Sequence, residues 1–307
     1  MSKEKRRTRA PVPNDFNSLY ASLTRVDVMT AHALPHAAVL SEDGRAIARA
    51  FVEARRAGRA LPTYPGTVPG TLDEAYAIQD AAIALVPDAI AGWKLGRIPP
   101  PLDAQFGAGR LAGPIFAASV RPAEGLTDFP LIDGGFGAVE AEYLLLMAET
   151  PPLREGWTVA EATRLVSQIR VGVEIAGSPF PGINDHGPAV TASDFGNNAG
   201  LILGAEVVRD WAGDPRALDD LTCAMRIDGE TVGTGGATSI PGGPFDSLAF
   251  LLNVLAGRGL RPQAGQWIST GAATGVHRIA IGQTAEADFG PHGIIKCRAI
   301  RAERGTP

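Results

Sequence analysis

The amino-acid sequence predicts an α+β protein in which two short N-terminal helices precede a region made mostly of sheet. Residues 41–87 carry apolar side chains at helical spacing on either side of a proline-rich turn. Beyond Gly92 the pattern changes to short apolar runs separated by Gly, Pro and Asp, which is typical of strands. Because crossover helices do not alternate with these strands, the pattern argues against a doubly wound sheet.

Start and stop signals bound each predicted helix. The first helix begins at Ser41 and stops at Gly58, and its apolar stripe is Ile47, Ala50, Phe51 and Ala54. The second begins with capping-box spacing at Thr71 and Glu74, ends by Pro87, and has the stripe Ala75, Ile78, Ala82 and Leu85. A later capping box at Thr158 predicts a helix with Ala162, Leu165, Val166 and Ile169 inward. Residues 246–257 predict another, with inward leucines.

The remaining segments are assigned by their turns and composition. The pair Asp228-Gly229 between two apolar runs predicts a type I′ β-hairpin, and a second hairpin is expected over residues 285–300. We predict a disordered tail over residues 1–40, in which translation starts at either Met1 or Met29. A helical cap region over 41–110 and a β-rich region over 111–307 are expected to form one structural unit.

Composition and charge argue against several classes of protein. The net charge of -5 and the lack of a basic helix make nucleic acid an unexpected partner. No apolar run reaches the ~18 residues that a membrane span needs, and no signal peptide is recognisable, so a cytoplasmic protein is expected. Cys223 and Cys297 are too few for a disulfide framework or a thiolate zinc site and are expected to be reduced core residues.

Three glutamates interrupt apolar strands. Glu140 and Glu142 lie two residues apart, and in a strand such side chains leave the same face with Cα atoms roughly 6.5 Å apart. Glu174 lies in a second strand whose alternate residues are apolar. Three carboxylates without His or Cys suit Mg²⁺ or Mn²⁺. The alternative is that Glu140 and Glu142 lie on a solvent-exposed sheet face and that Glu174 is unrelated.

Two further features have open interpretations. Lys94 is a lone cation in an apolar, glycine-flanked segment, where burial would lower the pKa of its ammonium group and suit proton transfer. Alternatively, its side chain extends to solvent. The glycine-rich segment 233–243 predicts either an anion-binding loop or a plain turn, and it lacks the Gly-Lys-Ser/Thr of a P-loop.

Five motifs in register carry a family resemblance. They are Gly-Trp-Lys-Leu-Gly at 92–96, Val-Glu-Ala-Glu at 139–142, Val-Glu-Ile at 173–175, Gly-Thr-Gly-Gly-Ala at 233–237, and the segment 260–271. Between about residues 70 and 300 the chain resembles the 2-keto-4-pentenoate hydratase and 4-oxalocrotonate decarboxylase branch of the fumarylacetoacetate hydrolase (FAH) superfamily. The resemblance implies a helical cap on an FAH-like mixed β-roll, a homo-oligomer, and Mg²⁺ or Mn²⁺ held by Glu140, Glu142 and Glu174.

The resemblance also implies a reaction. A small-molecule 2-oxo acid would bind the metal through its carboxylate and 2-oxo oxygens, and the ion would stabilise an enolate. Lys94 and Glu142 would be catalytic, with Lys94 managing protons or holding the substrate carboxylate. The branch hydrates or decarboxylates unsaturated 2-oxo acids in the catabolism of aromatic compounds, whereas the wider superfamily cleaves C–C bonds hydrolytically.

Departures from the family pattern fall on positions that would face the substrate. Arg97-Ile98 stands where the family has Thr-Ser, and a family Asp has no counterpart near residues 111–113. The run Asp194–Asn197 matches the family's Asp-Asn-Ala-Ser, so an amide replaces a serine. We therefore predict a substrate other than the standard dienoate, with Arg97 holding a second carboxylate, Asn197 donating a hydrogen bond and Thr270 in the substrate pocket.

Two other functions stay open from the sequence. One is hydrolytic C–C cleavage of an acylpyruvate-like acid, which needs a base to activate water, and no His–acid pair in the sequence plainly supplies it. The other is a 2-oxo acid binding protein that has kept the scaffold while its catalytic positions changed.

Overall fold

The strands of this chain form two mixed sheets. The computed structural model describes residues 40–211 and 214–303. In chain order the strands are β1 (Ile90–Arg97), β2 (Arg110–Phe116), β3 (Val120–Pro122), β4 (Leu126–Leu131), β5 (Phe136–Met147), β6 (Val166–Ser178), β7 (Asn198–Glu206), β8 (Thr222–Ile227), β9 (Glu230–Gly236), β10 (Trp267–Ser269), β11 (His277–Arg278), β12 (Thr284–Asp288) and β13 (Ile294–Arg301). The predicted tail lies outside the described residues, apart from Leu40.

Parallel and antiparallel pairs occur in both sheets. The larger sheet has the order β2-β1-β10-β5-β6-β7-β3, with β11 also paired to β5, and the smaller has the order β4-β13-β12-β8-β9. The pairs β1–β10, β3–β7 and β4–β13 are parallel, and the rest are antiparallel. Both predicted hairpins form: β12 pairs with β13, and β8 turns into β9 through Asp228 and Gly229, both at positive φ as a type I′ turn requires.

The α-helices of the described residues include three longer ones and three of only one or two turns. They are α1 (Glu42–Arg56), α2 (Leu72–Ile83), α3 (Leu102–Phe106), α4 (Val159–Thr163), α5 (Pro188–Ser193) and α6 (Pro244–Gly257). Ser41 accepts a hydrogen bond from the N–H of Gly44 at the start of α1, and Thr71 accepts one from Glu74 at the start of α2. These side chains satisfy donors that the first helical turn leaves unpaired. The helices α1 and α2 form the predicted cap, and their apolar faces share a cluster with Phe136 of β5.

Several local predictions are wrong, and tertiary pairing explains most of them. The capping box at Thr158 forms, but α4 ends at Thr163, and Val166 and Ile169 lie in β6, where they pair with β5. β-Branched residues fit a paired strand better than a helix end. Leu85 lies beyond the end of α2 and is exposed.

The region 41–110 is not purely helical. It also contains β1, an interior strand of the larger sheet that pairs with β2 and β10. The helices α1 and α2 therefore end before Ile90, because the apolar run from residue 90 onward joins the sheet, and the short helix α3 follows that strand. The division of the chain at residue 110 stays a prediction.

The long strands β5 and β6 separate a core from a second, polar face. Odd-numbered residues such as Val139, Tyr143 and Val173 point into the largest buried cluster, which also contains Cys223 and Cys297 from the smaller sheet. Even-numbered residues, including the three glutamates, leave the opposite face. Both thiols are free and buried, as predicted. In the part of the chain that the structure describes, no helix has the length and apolar character of a membrane span.

Candidate functional site

Strand register brings the three predicted metal ligands together. Glu140 lies directly opposite Glu174, and Glu142 lies opposite Gly172 on the same strand pair. Because residues opposite each other share a face, as do residues two apart, all three carboxylates leave one face of the larger sheet. One oxygen from each lies within 4.8 Å of the others. All three side chains are buried, so the alternative of a solvent-exposed acidic face is wrong.

Two of the carboxylates are held by one oxygen only. Ser269 Oγ and the N–H of Gly271 both donate to Glu142 Oε2, at 2.5 and 2.9 Å. Asn198 Nδ2 donates to Glu174 Oε1 at 3.0 Å. The other oxygens, Oε1 of Glu142 and Oε2 of Glu174, have no hydrogen-bond partner among the described residues. Buried acceptors without a partner are uncommon and costly, so these atoms mark a place where a cation fits.

The carboxyl groups of Glu140 and Glu142 have raised pKa values, because they are buried and lie close to other acids. Burial raises the pKa of Glu140 to about 7, although Lys94 opposes this rise and Glu174 adds to it. Burial and the charges of Glu174 and Glu140 raise the pKa of Glu142 well above its usual value. The single charge of Lys94 does not balance three carboxylates. A divalent cation would supply the remaining two positive charges, which agrees with the donor set of three carboxylates.

Lys94 reaches the same face from β1. It is paired with Ser269 of β10, and its Nζ atom lies 3.3 Å from Glu174 Oε1 and 3.2 Å from Asn197 Oδ1. Its side chain is buried, so the alternative of a solvent-exposed ammonium group is wrong. The structure therefore joins the lysine, one metal-ligand candidate and one substrate-binding candidate in direct contact.

The predicted fall of the Lys94 pKa does not occur. Burial lowers the pKa of this ammonium group, but the nearby charges of Glu174, Glu140 and Glu142 raise it, and the net result lies above its usual value. The sequence prediction considered the apolar segment around the lysine and not the acids that neighbouring strands bring to it.

A sharp turn between α5 and β7 carries two asparagines to the site. Phe195, Gly196 and Asn197 all have left-handed backbone conformations, with φ of 56°, 61° and 59°. The turn packs tightly on β2, where a Cβ atom at Gly113 would lie 2.0 Å from the carbonyl oxygen of Phe195. As a result, Asn197 reaches the ammonium group and Asn198 reaches one of the carboxylates described above.

The cluster opens into a cavity of about 520 Å³. Lys94, Glu140 and Asn197 line it together with Thr270 and Arg97. The Thr270 hydroxyl donates to the carbonyl of β5 residue 143 at 2.7 Å, so its oxygen keeps only acceptor capacity toward the cavity. Arg97 is exposed, and although its backbone pairs with β2, its side chain has no hydrogen bond or ion pair within residues 40–211 and 214–303. Its guanidinium group is therefore available to a ligand.

Sequence reasoning did not identify several residues that shape the site. Ser269 and Gly271 orient Glu142, Asn198 orients Glu174, and Asn184 Oδ1 accepts from Asn197 Nδ2 at 3.1 Å. These contacts join segments far apart in the chain. The motif 260–271 was recognised as a whole, but only the pairing of β10 with β5 reveals that its serine touches a glutamate.

Comparison with known proteins supports the resemblance. No family model matches the sequence. A 2-oxo-hept-4-ene-1,7-dioate hydratase from Escherichia coli is 33% identical over 110 residues, which are 36% of this chain and 40% of that protein. A 4-oxalocrotonate decarboxylase from Pseudomonas putida is 26% identical over 162 residues, or 53% of this chain and 60% of that protein. The matches thus span less than two thirds of either relative.

Solved structures extend the comparison to most of the chain. The 4-oxalocrotonate decarboxylase from Pseudomonas putida G7, complexed with magnesium and adipate, superposes with a TM-score of 0.69 at 23% identity, covering 84% of this chain and 98% of that one. Fumarylpyruvate hydrolase from Pseudomonas aeruginosa, in complex with Mn²⁺ and pyruvate, gives 0.50 at 15% identity, covering 68% and 89%. At such identities the structures show the fold, which is the predicted FAH-like α+β fold. Together with the named relatives, they confirm the resemblance to the hydratase and decarboxylase branch.

Proposed function

We propose that this protein is a divalent-metal-dependent lyase that hydrates or decarboxylates an unsaturated 2-oxo acid. The observation that carries the proposal is the buried cluster of Glu140, Glu142 and Glu174, which lies beside Lys94 and opens into a cavity. The two relatives with partial matches are named as a hydratase and a decarboxylase, which agrees with this reaction class.

The three glutamates would hold Mg²⁺ or Mn²⁺. The partnerless oxygens of Glu142 and Glu174, together with the cavity-facing Glu140, form an all-oxygen donor set suited to a hard cation. When bound, the ion would supply positive charge that stabilises negative charge developing on the 2-oxo oxygen of the substrate. Ser269 and Asn198 keep their carboxylates oriented through hydrogen bonds.

The protein's own cations would bind the rest of the substrate. Lys94 keeps its proton because the surrounding acids raise its pKa, so its Nζ atom would donate a hydrogen bond to the substrate carboxylate or deliver a proton to a substrate carbon. Asn197 Oδ1 accepts from that ammonium group and fixes its direction. Arg97, exposed and unpartnered within the described residues, would bind a second carboxylate on the substrate's tail.

The test is an assay of the purified protein with Mg²⁺ or Mn²⁺ against unsaturated 2-oxo acids, including 2-hydroxypentadienoate and substrates with an acidic tail. A 4-hydroxy-2-oxo acid product would identify hydration, and release of CO₂ would identify decarboxylation. Absence of turnover on every 2-oxo acid, or full activity of the Glu142→Ala variant, would remove the proposal.

Two alternatives have different outcomes in the same assay. Hydrolytic C–C cleavage would yield pyruvate and a carboxylic acid, and it is less well supported because the described residues that line the cavity include no histidine to activate water. A 2-oxo acid binding protein would show a thermal shift with Mg²⁺ and oxalate but no product.

We also propose that the protein is a cytoplasmic homo-oligomer acting in the catabolism of aromatic or related compounds. The resemblance to the branch supports this setting. Light scattering on the purified protein would measure its mass, and a monomer would remove the oligomer proposal.

A further inference from the structure

One arginine of the cap holds the segment that carries the two asparagines. Arg55, in the last turn of α1, donates to both carboxylate oxygens of Asp194, through Nε at 2.7 Å and Nη2 at 2.8 Å. Its Nη1 also donates to the carbonyl of Asn198 at 3.0 Å, and its Nη2 to that of Gly177 at 2.9 Å. A single guanidinium group therefore ties α1 to the end of β6 and to both ends of the segment 194–198.

That segment is in a conformation that needs such support. Phe195 is a bulky residue at φ 56°, a conformation that is disfavoured for residues other than glycine. The left-handed conformation continues through Asn197. Backbone strain of this kind persists only where the surroundings fix it. The Arg55 guanidinium lies 5.3 Å from the centroid of the Phe195 ring, and Ser178 Oγ donates to the buried Asp194 Oδ2 at 2.6 Å. These contacts fix the turn at Asp194, where it starts, and at the side chain of Phe195.

We propose that Arg55 is a positioning residue for the metal and lysine site, and the proposal rests on the function proposed above. Arg55 acts through two contacts that depend on the turn: Asn198 Nδ2 on Glu174 and Asn197 Oδ1 on Lys94. Without Arg55 the turn relaxes. Glu174 Oε1 then loses its amide donor and keeps only Lys94, and the ammonium group loses the Asn197 oxygen and keeps only Glu174. The cap helix thus contributes to the geometry of a site on the sheet.

A purely structural role for the ion pair would have a different signature. If Arg55 only attached α1 to the sheet, its removal would lower the melting temperature and leave the ligands where they are. The distinguishing readout is therefore the dissociation constant for Mn²⁺, measured on the full chain by the electron paramagnetic resonance signal of the free ion, beside the melting temperature. This readout needs no substrate.

The variants are Arg55→Met, Arg55→Lys and the double variant Arg55→Met with Asp194→Asn, which leaves no unpaired buried charge. The control is Arg298→Met, because Arg298 donates to Asp128 with the same two-point geometry, through Nε at 2.8 Å and Nη2 at 2.9 Å, in an exposed pair on the smaller sheet. We expect Arg55→Met and the double variant to weaken Mn²⁺ binding by about 10- to 100-fold, as residues that orient metal ligands typically do. Arg55→Lys should give an intermediate value, and Arg298→Met should bind as the wild type does.

Each outcome decides between the two roles. If the Arg55 variants bind Mn²⁺ as the wild type does while their melting temperatures fall, the proposal is overturned and the metal site stands. If the wild type itself does not bind Mn²⁺, the proposed function fails, and a crystal structure of the double variant decides the role of Arg55. A turn at 195–197 that keeps its left-handed conformation in that crystal overturns the positioning role, and a rearranged turn supports it.

Discussion

Glu142 and Glu174 show how single side chains would encode the proposed cation site. Each has one oxygen fixed by the protein and one that accepts no hydrogen bond from a described residue. If hydrogen bonds from the protein satisfied both oxygens, neither oxygen would be free for a ligand, and if they satisfied neither, the carboxylate could rotate away from the site. A hydrogen bond to one oxygen fixes the direction of the other. A bound cation would offset the energetic cost of the unpaired oxygen.

The Ser269→Ala substitution should weaken metal binding without unfolding the protein. Removing the hydroxyl leaves only the N–H of Gly271 on Glu142 Oε2, so the carboxylate gains freedom to rotate. We expect the Mn²⁺ dissociation constant to rise by about 10- to 100-fold. The measurement is titration calorimetry. Ser247→Ala is the matched control, because Ser247 is equally buried but its hydroxyl has no hydrogen-bond partner among the described residues; a similar loss in both variants would contradict the orienting role.

Arg97 is expected to select for the tail of the substrate. Its exposed guanidinium group lines the cavity that contains Lys94, and no described residue neutralises it. The Arg97→Met variant should raise KM for a 2-oxo acid with a second carboxylate by about 10-fold or more, since charge-assisted hydrogen bonds are each worth about 1.5–3 kcal/mol. Steady-state kinetics on a matched pair of substrates, with and without the second carboxylate, would measure this. An equal rise for both substrates would show that Arg97 does not read the tail.

At the scale of elements, close backbone packing between β2 and the turn at 195–197 sets how near Asn197 lies to Lys94. Lys94 on β1 is paired with Gly113 on β2, and that glycine is covered by the carbonyl of Phe195. Only a residue without a side chain permits this approach. Lys94 and Asn197 can therefore approach to hydrogen-bond distance because residue 113 has no Cβ atom.

The Gly113→Ala substitution tests this packing. An added Cβ atom would lie 2.0 Å from the Phe195 oxygen, so the turn or β2 must move, which typically costs about 1–3 kcal/mol of stability. We expect a lower free energy of unfolding in urea and weaker Mn²⁺ binding. Gly109→Ala is the control, because a Cβ atom at Gly109 would meet nothing within 4 Å. Equal stabilities for the two variants would mean that the turn yields without cost.

Sequence reasoning succeeded where the information is local to one element. The helix start at Ser41, the cap at Thr71, the hairpin at Asp228-Gly229 and the alternation of Glu174 with apolar neighbours are all visible in a few residues. The prediction for the region beyond α4 is wrong because Val166 and Ile169 suit a helix stripe and a strand equally, and only pairing with β5 decides. The predicted fall of the Lys94 pKa is wrong for the same reason, because the acids that raise this pKa come from other strands.

At the scale of the whole molecule, the strands that carry the proposed metal site share one core with the second sheet. Tyr143 follows Glu142 on β5 and points the opposite way, where its ring packs edge-on against Phe289 at 5.9 Å, beside the smaller sheet. The same buried cluster contains Cys223 of β8 and Cys297 of β13. Binding at one face of the larger sheet should therefore stabilise residues that never approach the ion, provided that the two sheets unfold together.

The two thiols report on this coupling. Burial raises the pKa of Cys223 to about 11 and that of Cys297 to about 12, so neither should react with a thiol reagent at pH 8 until the structure opens. A ligand at about 100 times its dissociation constant stabilises the native state by about 2.7 kcal/mol, which lowers the open population about 100-fold. With dilute reagent, so that reclosing outpaces labelling, Mg²⁺ should slow modification of both cysteines by the same factor, measured peptide by peptide in a mass spectrometer.

The Glu142→Gln variant should lose the effect. Protection of Cys223 alone would mean that β13 opens independently of the sheet that carries the site, and that the two sheets are separate cooperative units.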